Sequence, residues 1–431
     1  MSNPDIISRV RAREILNFLG NPTVEAEVLL SDGSCGLAAV PAGISVGSSE
    51  VGQLLDGDPK RYAGRGVIKA VRNVQEVIEP ALKGMSASQQ EMIDRKLLEL
   101  DGTSNKSRLG ANAILAVSLA MAHAAAASKK LPLYRYLGGD GPFALPVPAF
   151  DMLEGGAHAQ NSVDFQEYLV IPAGVSSFQE ALEAGVAIFH ALLNLLRKKG
   201  GSIQHTGPLA APLKTNQEGV EALAAAIETA GYSLGKQCFI GIDAATSELY
   251  KDGKYFLHCE KRELTSSEMN DLWSEWIDAY PIITIEDPMS EEDWDGWQAI
   301  TKHIGERVQL VGDDLFTTNP ERVKKGIALG VANAVLIKPN QIGTLFETLE
   351  TIRIASEAGW AAMLSTRSGE TEDATITDLS MLSGCGQIKT GPPFAKSVVK
   401  HNRLLRIEEE LGGEAKYKGV QAFRKLLPDS G

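Results

Sequence analysis

The stretch "IITIEDP" (282–288) is a short β-branched apolar run that stops on two acidic residues and a proline. The same shape returns in "VQLVGDD" (308–314), "AVLIKPN" (334–340), "AAMLSTRS" (361–368) and "GQIKTG" (386–391), with amphipathic helical patterns between them. The polar residues closing these runs, Glu286, Asp313, Lys338, Arg367 and Lys389, are 27, 25, 29 and 22 residues apart. That interval holds one strand, one helix and two loops. "EYLVIPA" (167–173) and "CFIGIDAA" (238–245) extend the series upstream. Strand–helix alternation predicts a parallel sheet with right-handed crossovers, and about eight strands predict a closed (β/α) barrel.

The first part of the chain reads differently. "TVEAEVLLSDGSCGLAAVP" (23–41) predicts two alternating strands around Asp-Gly. Helical patterns follow at about 66–82, 88–99 and 108–127. The Gly/Pro-rich "YLGGDGPFALPVP" (136–148) marks the boundary. The expected organisation is an N-terminal α+β capping domain over 1–140 and a barrel with C-terminal helices over 141–431.

Charge and cysteine usage narrow the function. The 431 residues carry a net charge of −13, which argues against a general nucleic-acid binder. Four cysteines, Cys35, Cys238, Cys259 and Cys385, lie far apart without a CxxC, so reduced thiols are expected rather than a disulfide or zinc framework. The start "MSNPDIISRVRARE" lacks the apolar core of a signal peptide. "ILAVSLAMAHAAAA" (114–127) is too short for a membrane span and carries His123. A cytoplasmic protein without a membrane partner is expected.

In a barrel the strand C-termini open on one face, where the site lies. Asp243, Glu286, Asp313, Lys338, Arg367 and Lys389 would converge there. Any one of these reads equally well as a helix cap or a solvated loop charge; the set does not. Three carboxylates form a hard, oxygen-rich pocket suited to Mg²⁺. Two lysines and an arginine beside it suit a doubly anionic ligand. A metal with a lysine base is one way to remove a weakly acidic proton next to a carboxylate.

The chain resembles the enolase family along its whole length. The likeness rests on "REILNFLGNPTVEAEV" (13–28), "DGDPKRYAGRGVIKAV" (56–71), "LGANAILAVSLA" (109–120), "EGGAHAQNSVDFQEY" (154–168), "IEDPMSEEDWDGW" (285–297), "LVGDDLFTTNP" (310–320), "LIKPNQIGTLFETLETI" (336–352) and "RSGETEDATITDL" (367–379). The resemblance implies an atypical (β/α)8 TIM-type barrel behind an N-terminal capping domain, and a homodimer. It implies that Asp243, Glu286 and Asp313 hold one tightly bound Mg²⁺. A second Mg²⁺ would arrive with substrate and meet Ser45 on a lid. Lys338 would abstract the α-proton of a 2-phospho-carboxylate. Lys389 would bind the carboxylate, Arg367 and Ser368 the phosphate, and His158 and Glu167 would line the far side.

The chain departs from the family pattern in places. Where enolases carry Gly-Asp-Glu-Gly-Gly, this chain has Gln204, His205, Thr206, Gly207 and Pro208, so the acid that assists departure of the β-hydroxyl is replaced by Thr206. The family's active-site histidine is Thr366. The lid reads "AGISVG" (42–47), an expected arginine is Leu19, and an expected asparagine is Glu154. A threonine hydroxyl is no proton donor near pH 7, and loss of a general acid costs roughly 10²–10⁴ in rate. His205, next to the lost acid, is a candidate substitute proton source, though the position matches the family's Asp.

The expectation is an Mg²⁺-dependent enolase-family enzyme that binds phosphoenolpyruvate, 2-phosphoglycerate or a close analogue and dehydrates poorly. Its role would resemble that of carboxyphosphonoenolpyruvate synthases in phosphonate natural-product biosynthesis, with a nucleotide-activated phosphonoformate as second substrate. The alternatives are a glycolytic enolase with a substitute acid and a non-catalytic binding or scaffold protein.

Overall fold

The computed structural model describes residues 5–44, 47–159 and 162–423. The chain divides into two compact units. The first comprises residues 1–142, 338–353 and 366–382, and the second 143–337, 354–365 and 383–431.

In the first unit, β1 (Ile7–Leu16), β2 (Pro22–Leu30) and β3 (Cys35–Ala39) form an antiparallel meander. The Asp-Gly hairpin lies where the sequence predicts it. β1 is an additional strand, with Ile7, Val10 and Ala12 buried between exposed Arg9, Arg11 and Arg13, an alternation that marks a half-buried strand. The predicted helices are present as 68–82, broken by a π turn, Gln90–Asp101 and Ala111–Ser128. The last is long and apolar enough to cross a membrane, yet most of it is buried within the unit. Its alanines let it approach the sheet closely. A Cβ on Gly36 would stand 2.1 Å from the Ala120 carbonyl oxygen, so β3 needs glycine there.

Asp94 is fully buried in this unit. Its carboxylate accepts the Phe346 N–H at 2.8 Å and bonds from Gln90. Burial raises its pKa to about 6, against the lowering pull of Ser118, Gln90 and the Phe346 N–H. A carboxyl raised in the folded state favours folding fully below about pH 4, and that contribution is lost as pH rises through 6. A shift of this size corresponds to roughly 3 kcal/mol. Asp94→Asn is therefore expected to flatten the fall in stability between pH 4 and 7, read as urea-unfolding midpoints across that range.

The second unit holds the barrel. Eight strands close in the order β4 (Val147–Glu154), β5 (Glu167–Ile171), β8 (Phe239–Asp243), β12 (Ile282–Glu286), β13 (Gln309–Gly312), β14 (Ala334–Ile337), β15 (Ala361–Ser365) and β16 (Cys385–Gly391), with β16 pairing back onto β4. Seven run parallel. β5 is antiparallel to both neighbours, a departure from the all-parallel sheet read from the alternation. The reason is local. A parallel return needs a crossover, usually helical, and among the described residues of 155–166 there is one 3₁₀ turn, at Gly156–His158. The helices that follow begin on side-chain caps: Ser177, Thr215, Thr265, Asp293 and Asn319 each accept a backbone N–H from the first turn. Two short ribbons decorate the barrel. β6 (Ser202–Ile203) and β7 (Leu209–Ala210) form a hairpin attached to β4, and β9 (Tyr250–Lys251), β10 (Lys254–Leu257) and β11 (Arg262–Leu264) form a small sheet.

Candidate active site

Asp243 and Glu286 are the last residues of β8 and β12, and Asp313 follows the last residue of β13. Glu167 opens β5. Because β5 runs backwards, its first residue reaches the barrel end where the others finish, as register partner of Asp243. Lys389 of β16 meets this group. Its Nζ lies 2.7 Å from Glu286 Oε2, 2.9 Å from Asp243 Oδ2 and 3.1 Å from Glu167 Oε2. Burial alone would lower the ammonium pKa, but the charges of Asp243, Glu167, Glu286 and Asp313 outweigh it and hold the pKa well above the usual lysine value.

The loop after β13 is shaped by Asp287, whose carboxylate accepts the N–H of Asp313 at 3.0 Å and of Asp314 at 2.8 Å. Burial first, then Asp314, Asp313 and Asp243, push the Asp287 carboxyl well above the usual range. Asp287, Asp313 and Asp314 form a group whose ligand atoms all lie within 4.8 Å of one another. The residues present fit a hard divalent cation. Three carboxylate oxygens already converge on one cationic nitrogen, and the donor set of Asp243, Glu286 and Asp313 is all carboxylate, which suits Mg²⁺ over softer metals.

The hairpin that carries Thr206 meets a carboxylate. The segment 204–208 is the turn of the β6–β7 hairpin, closed by Gln204 N–H to the Pro208 carbonyl at 2.8 Å. Gly207 has φ +117°, and a Cβ there would stand 2.7 Å from Pro392; only glycine turns the chain at this point. Leu209 pairs with Leu153 of β4. That pairing sets Thr206 against the end of β4, where the Thr206 hydroxyl donates to Glu154 Oε2 at 2.6 Å. Glu154, 2% exposed, brings a carboxylate to Thr206 from another strand.

Around this pair the charges are dense. His158 Nδ1 lies 3.4 Å from Glu154 Oε1 and 3.5 Å from Glu167 Oε1. Burial opposes protonation of the imidazole, but the adjacent Glu154 carboxylate and the charges of Glu167 and Asp243 raise its pKa. Asp151, also on β4, is pushed well above the carboxylate range by burial, then by Glu167 and Glu154, with Lys389 and Lys396 opposing. A register shift leaves Met152 unpaired between Asp151 and Leu153. Such a bulge changes the strand's alternation and brings residues three apart to one face. His205, the candidate substitute proton source, is exposed on the turn and is not among these contacts.

The remaining sequence candidates lie in the first unit. Lys338 follows the end of β14 and caps a short helical turn, Pro339–Ile342, with extended backbone. Thr366 follows β15 and is half-buried, as is Ser368, while Arg367 is buried. Ser45 lies outside the described residues. The Arg367 guanidinium is held by Glu50, Nη1 to Oε2 at 3.0 Å and Nη2 to Oε1 at 3.2 Å, and by Asn340 at 3.3 Å. Glu50 also accepts from Gly47 N–H and from the Gln341 amide. Glu50, like Glu154, was not among the sequence candidates. Neutralising it with Glu50→Gln is expected to lower stability by roughly 1–3 kcal/mol. Inorganic phosphate should then raise the melting temperature of the variant more than that of the parent, since an added anion replaces the lost charge.

Comparison with known families agrees with this architecture. The family description "Enolase, N-terminal domain" matches residues 7–137, and "Enolase, C-terminal TIM barrel domain" matches residues 142–426. With nearly the whole chain matched and a closed eight-stranded barrel behind it, the protein belongs to the enolase family.

Proposed function

We propose that the protein is an Mg²⁺-dependent, lyase-type enzyme that acts on a phosphoenolpyruvate- or 2-phosphoglycerate-like phospho-carboxylate, with leaving-group chemistry altered from simple dehydration. One observation carries this reading: a buried, charged Lys389 ringed by Asp243, Glu286 and Glu167 stands beside a rebuilt Glu154–Thr206–His158 cluster. Burying that many charges without a ligand to serve would be costly.

In the proposed roles, Lys389 grips the substrate carboxylate and Arg367 and Ser368 the phosphate. Lys338 takes the α-proton of the substrate. Mg²⁺ held by Asp243, Glu286 and Asp313 would offset the negative charge that develops on the carboxylate. The finer proposal is a carboxyphosphonoenolpyruvate synthase-like role, in which a phosphonoformyl unit from a nucleotide conjugate is joined to the three-carbon skeleton. The second reading is dehydration of 2-phosphoglycerate with a substitute acid, and the 2.6 Å Thr206–Glu154 bond favours it. We also propose a homodimer; Leu16 and Phe18 are 54% and 51% exposed at the end of β1 and just beyond it.

The test is incubation with Mg²⁺ and 2-phosphoglycerate in D₂O. Deuterium entering C2, read by NMR, reports proton abstraction, and rising ultraviolet absorbance reports the enol product. Absence of both removes the reading. Adding a cytidylyl-activated phosphonoformate separates its two forms: a new phosphorus resonance with release of the nucleotide supports transfer, and unchanged dehydration supports the substitute-acid form.

A further inference from the structure

We propose that Glu154 is the proton donor to the group leaving C3, taking over from β4 the task of the acid that is missing at position 206. The proposal rests on the second form of the reading above, dehydration with a substitute acid, and deepens it.

The geometry is that of a carboxyl placed for use. Glu154 is the last residue of β4, which runs parallel to β16, so it lies at the barrel end where Asp243 and Glu286 finish. Its register partner is Glu167, which touches Lys389 at 3.1 Å. Glu154 therefore stands one strand from the ring that grips the substrate carboxylate. Among the described residues its side-chain partners are the Thr206 hydroxyl and the His158 imidazole. A buried carboxylate with so little compensation costs free energy, and a neutral side chain of the same size would pack here at less cost. Thr206 fixes one oxygen of the carboxyl group. The imidazole lies at ion-pair distance from the other.

The step balances with groups already present. Lys338 removes the C2 proton, and the electron pair left on C2 forms the C2=C3 double bond as the C3–O bond breaks. A proton from His158 passes through the Glu154 carboxyl to the departing oxygen, which leaves as water when the substrate is 2-phosphoglycerate. Glu154 is a carboxylate before and after the step, and His158 regains its proton from solvent. Thr206 is a positioning residue in this scheme.

The experiment uses the full-length protein with Mg²⁺ and 2-phosphoglycerate in D₂O, reading C2 exchange and phosphoenolpyruvate formation in parallel. Glu154→Gln keeps an acceptor for Thr206. It is expected to slow product formation by roughly 10²–10⁴-fold while C2 exchange stays within about twofold. The double variant Glu154→Asn with Thr206→Glu returns the carboxylate to the hairpin and is expected to recover product formation. In Glu154→Gln the loss should fall on kcat for product formation, with KM for 2-phosphoglycerate little changed, which a merely structural role would not produce. Parent-like product formation in Glu154→Gln would overturn the proposal, as would a parent that exchanges at C2 yet forms no product. If Glu154→Gln loses exchange as well, recovery in the double variant supports the proposal and no recovery overturns it. Absence of C2 exchange in the parent would overturn the underlying reading itself, a different failure.

Discussion

Lys389→Met is expected to be among the most destabilising single substitutions in the barrel, by about 3–5 kcal/mol when divalent metal is removed with EDTA. The substitution takes away one cation and leaves Asp243, Glu286 and Glu167 facing one another with little water between them. Removing one partner of a buried ion pair costs more than the pair contributes, because the remaining charge keeps its desolvation penalty. Here three carboxylates share that penalty. For a barrel of this size the loss corresponds to a fall in melting temperature of roughly 10 °C. Mg²⁺ should reverse part of it, because the cation binds the folded variant and not the unfolded chain. The parent, whose carboxylates already have an ammonium among them, should gain less from Mg²⁺. Thermal melts of both proteins in EDTA and in excess Mg²⁺ give the comparison. Equal Mg²⁺ gains in the two would show that these carboxylates are not where the metal binds.

The parts of this architecture legible in the sequence are those written into short, repeating segments. β12, β13, β14, β15 and β16 each show an apolar run closed by a charged residue, and the intervals between them have room for one helix. That combination specifies a barrel before any contact is known. The caps at Ser177, Thr215, Thr265, Asp293 and Asn319 belong to the same local grammar. The direction of β5 does not, because a buried strand's residue pattern is the same whichever way it runs; only the lack of a crossover helix among the described residues of 155–166 reverses it.

Glu154 was hidden for a related reason. Thr206 and Glu154 are each visible as departures from the family pattern, but they are 52 residues apart. Their relation depends on a pairing between Leu153 and Leu209, in a strand of two residues too short to announce itself. Read singly, one substitution is a loss and the other an oddity. Read together, they set a carboxylate of β4 on the hydroxyl of the hairpin turn. The bond between Glu50 and Arg367, across 317 positions, escaped sequence reasoning in the same way: an ion pair leaves no periodic trace.

Lys338→Ala is expected to abolish both measured signals, lowering C2 exchange and product formation together by at least about 10²–10⁴-fold. The contrast with Glu154→Gln follows from the order of events. Exchange needs only the removal and return of the C2 proton, so it reports the base and is blind to the acid. Product formation needs both. A chain with two separable proton-transfer groups must therefore yield one variant that loses everything and one that loses only the second step. Lys338 follows β14 in extended backbone and caps the turn Pro339–Ile342, where Pro339 already fixes the chain. Truncation at Cβ leaves that backbone in place. Small primary amines added to Lys338→Ala should restore exchange in a dose-dependent way, with a pH optimum that follows the amine's own pKa, because the vacated volume can admit a free base. Exchange at the parent rate in Lys338→Ala would assign proton abstraction to another residue, and amine rescue of product without rescue of exchange would be incompatible with the sequence of steps proposed for this protein.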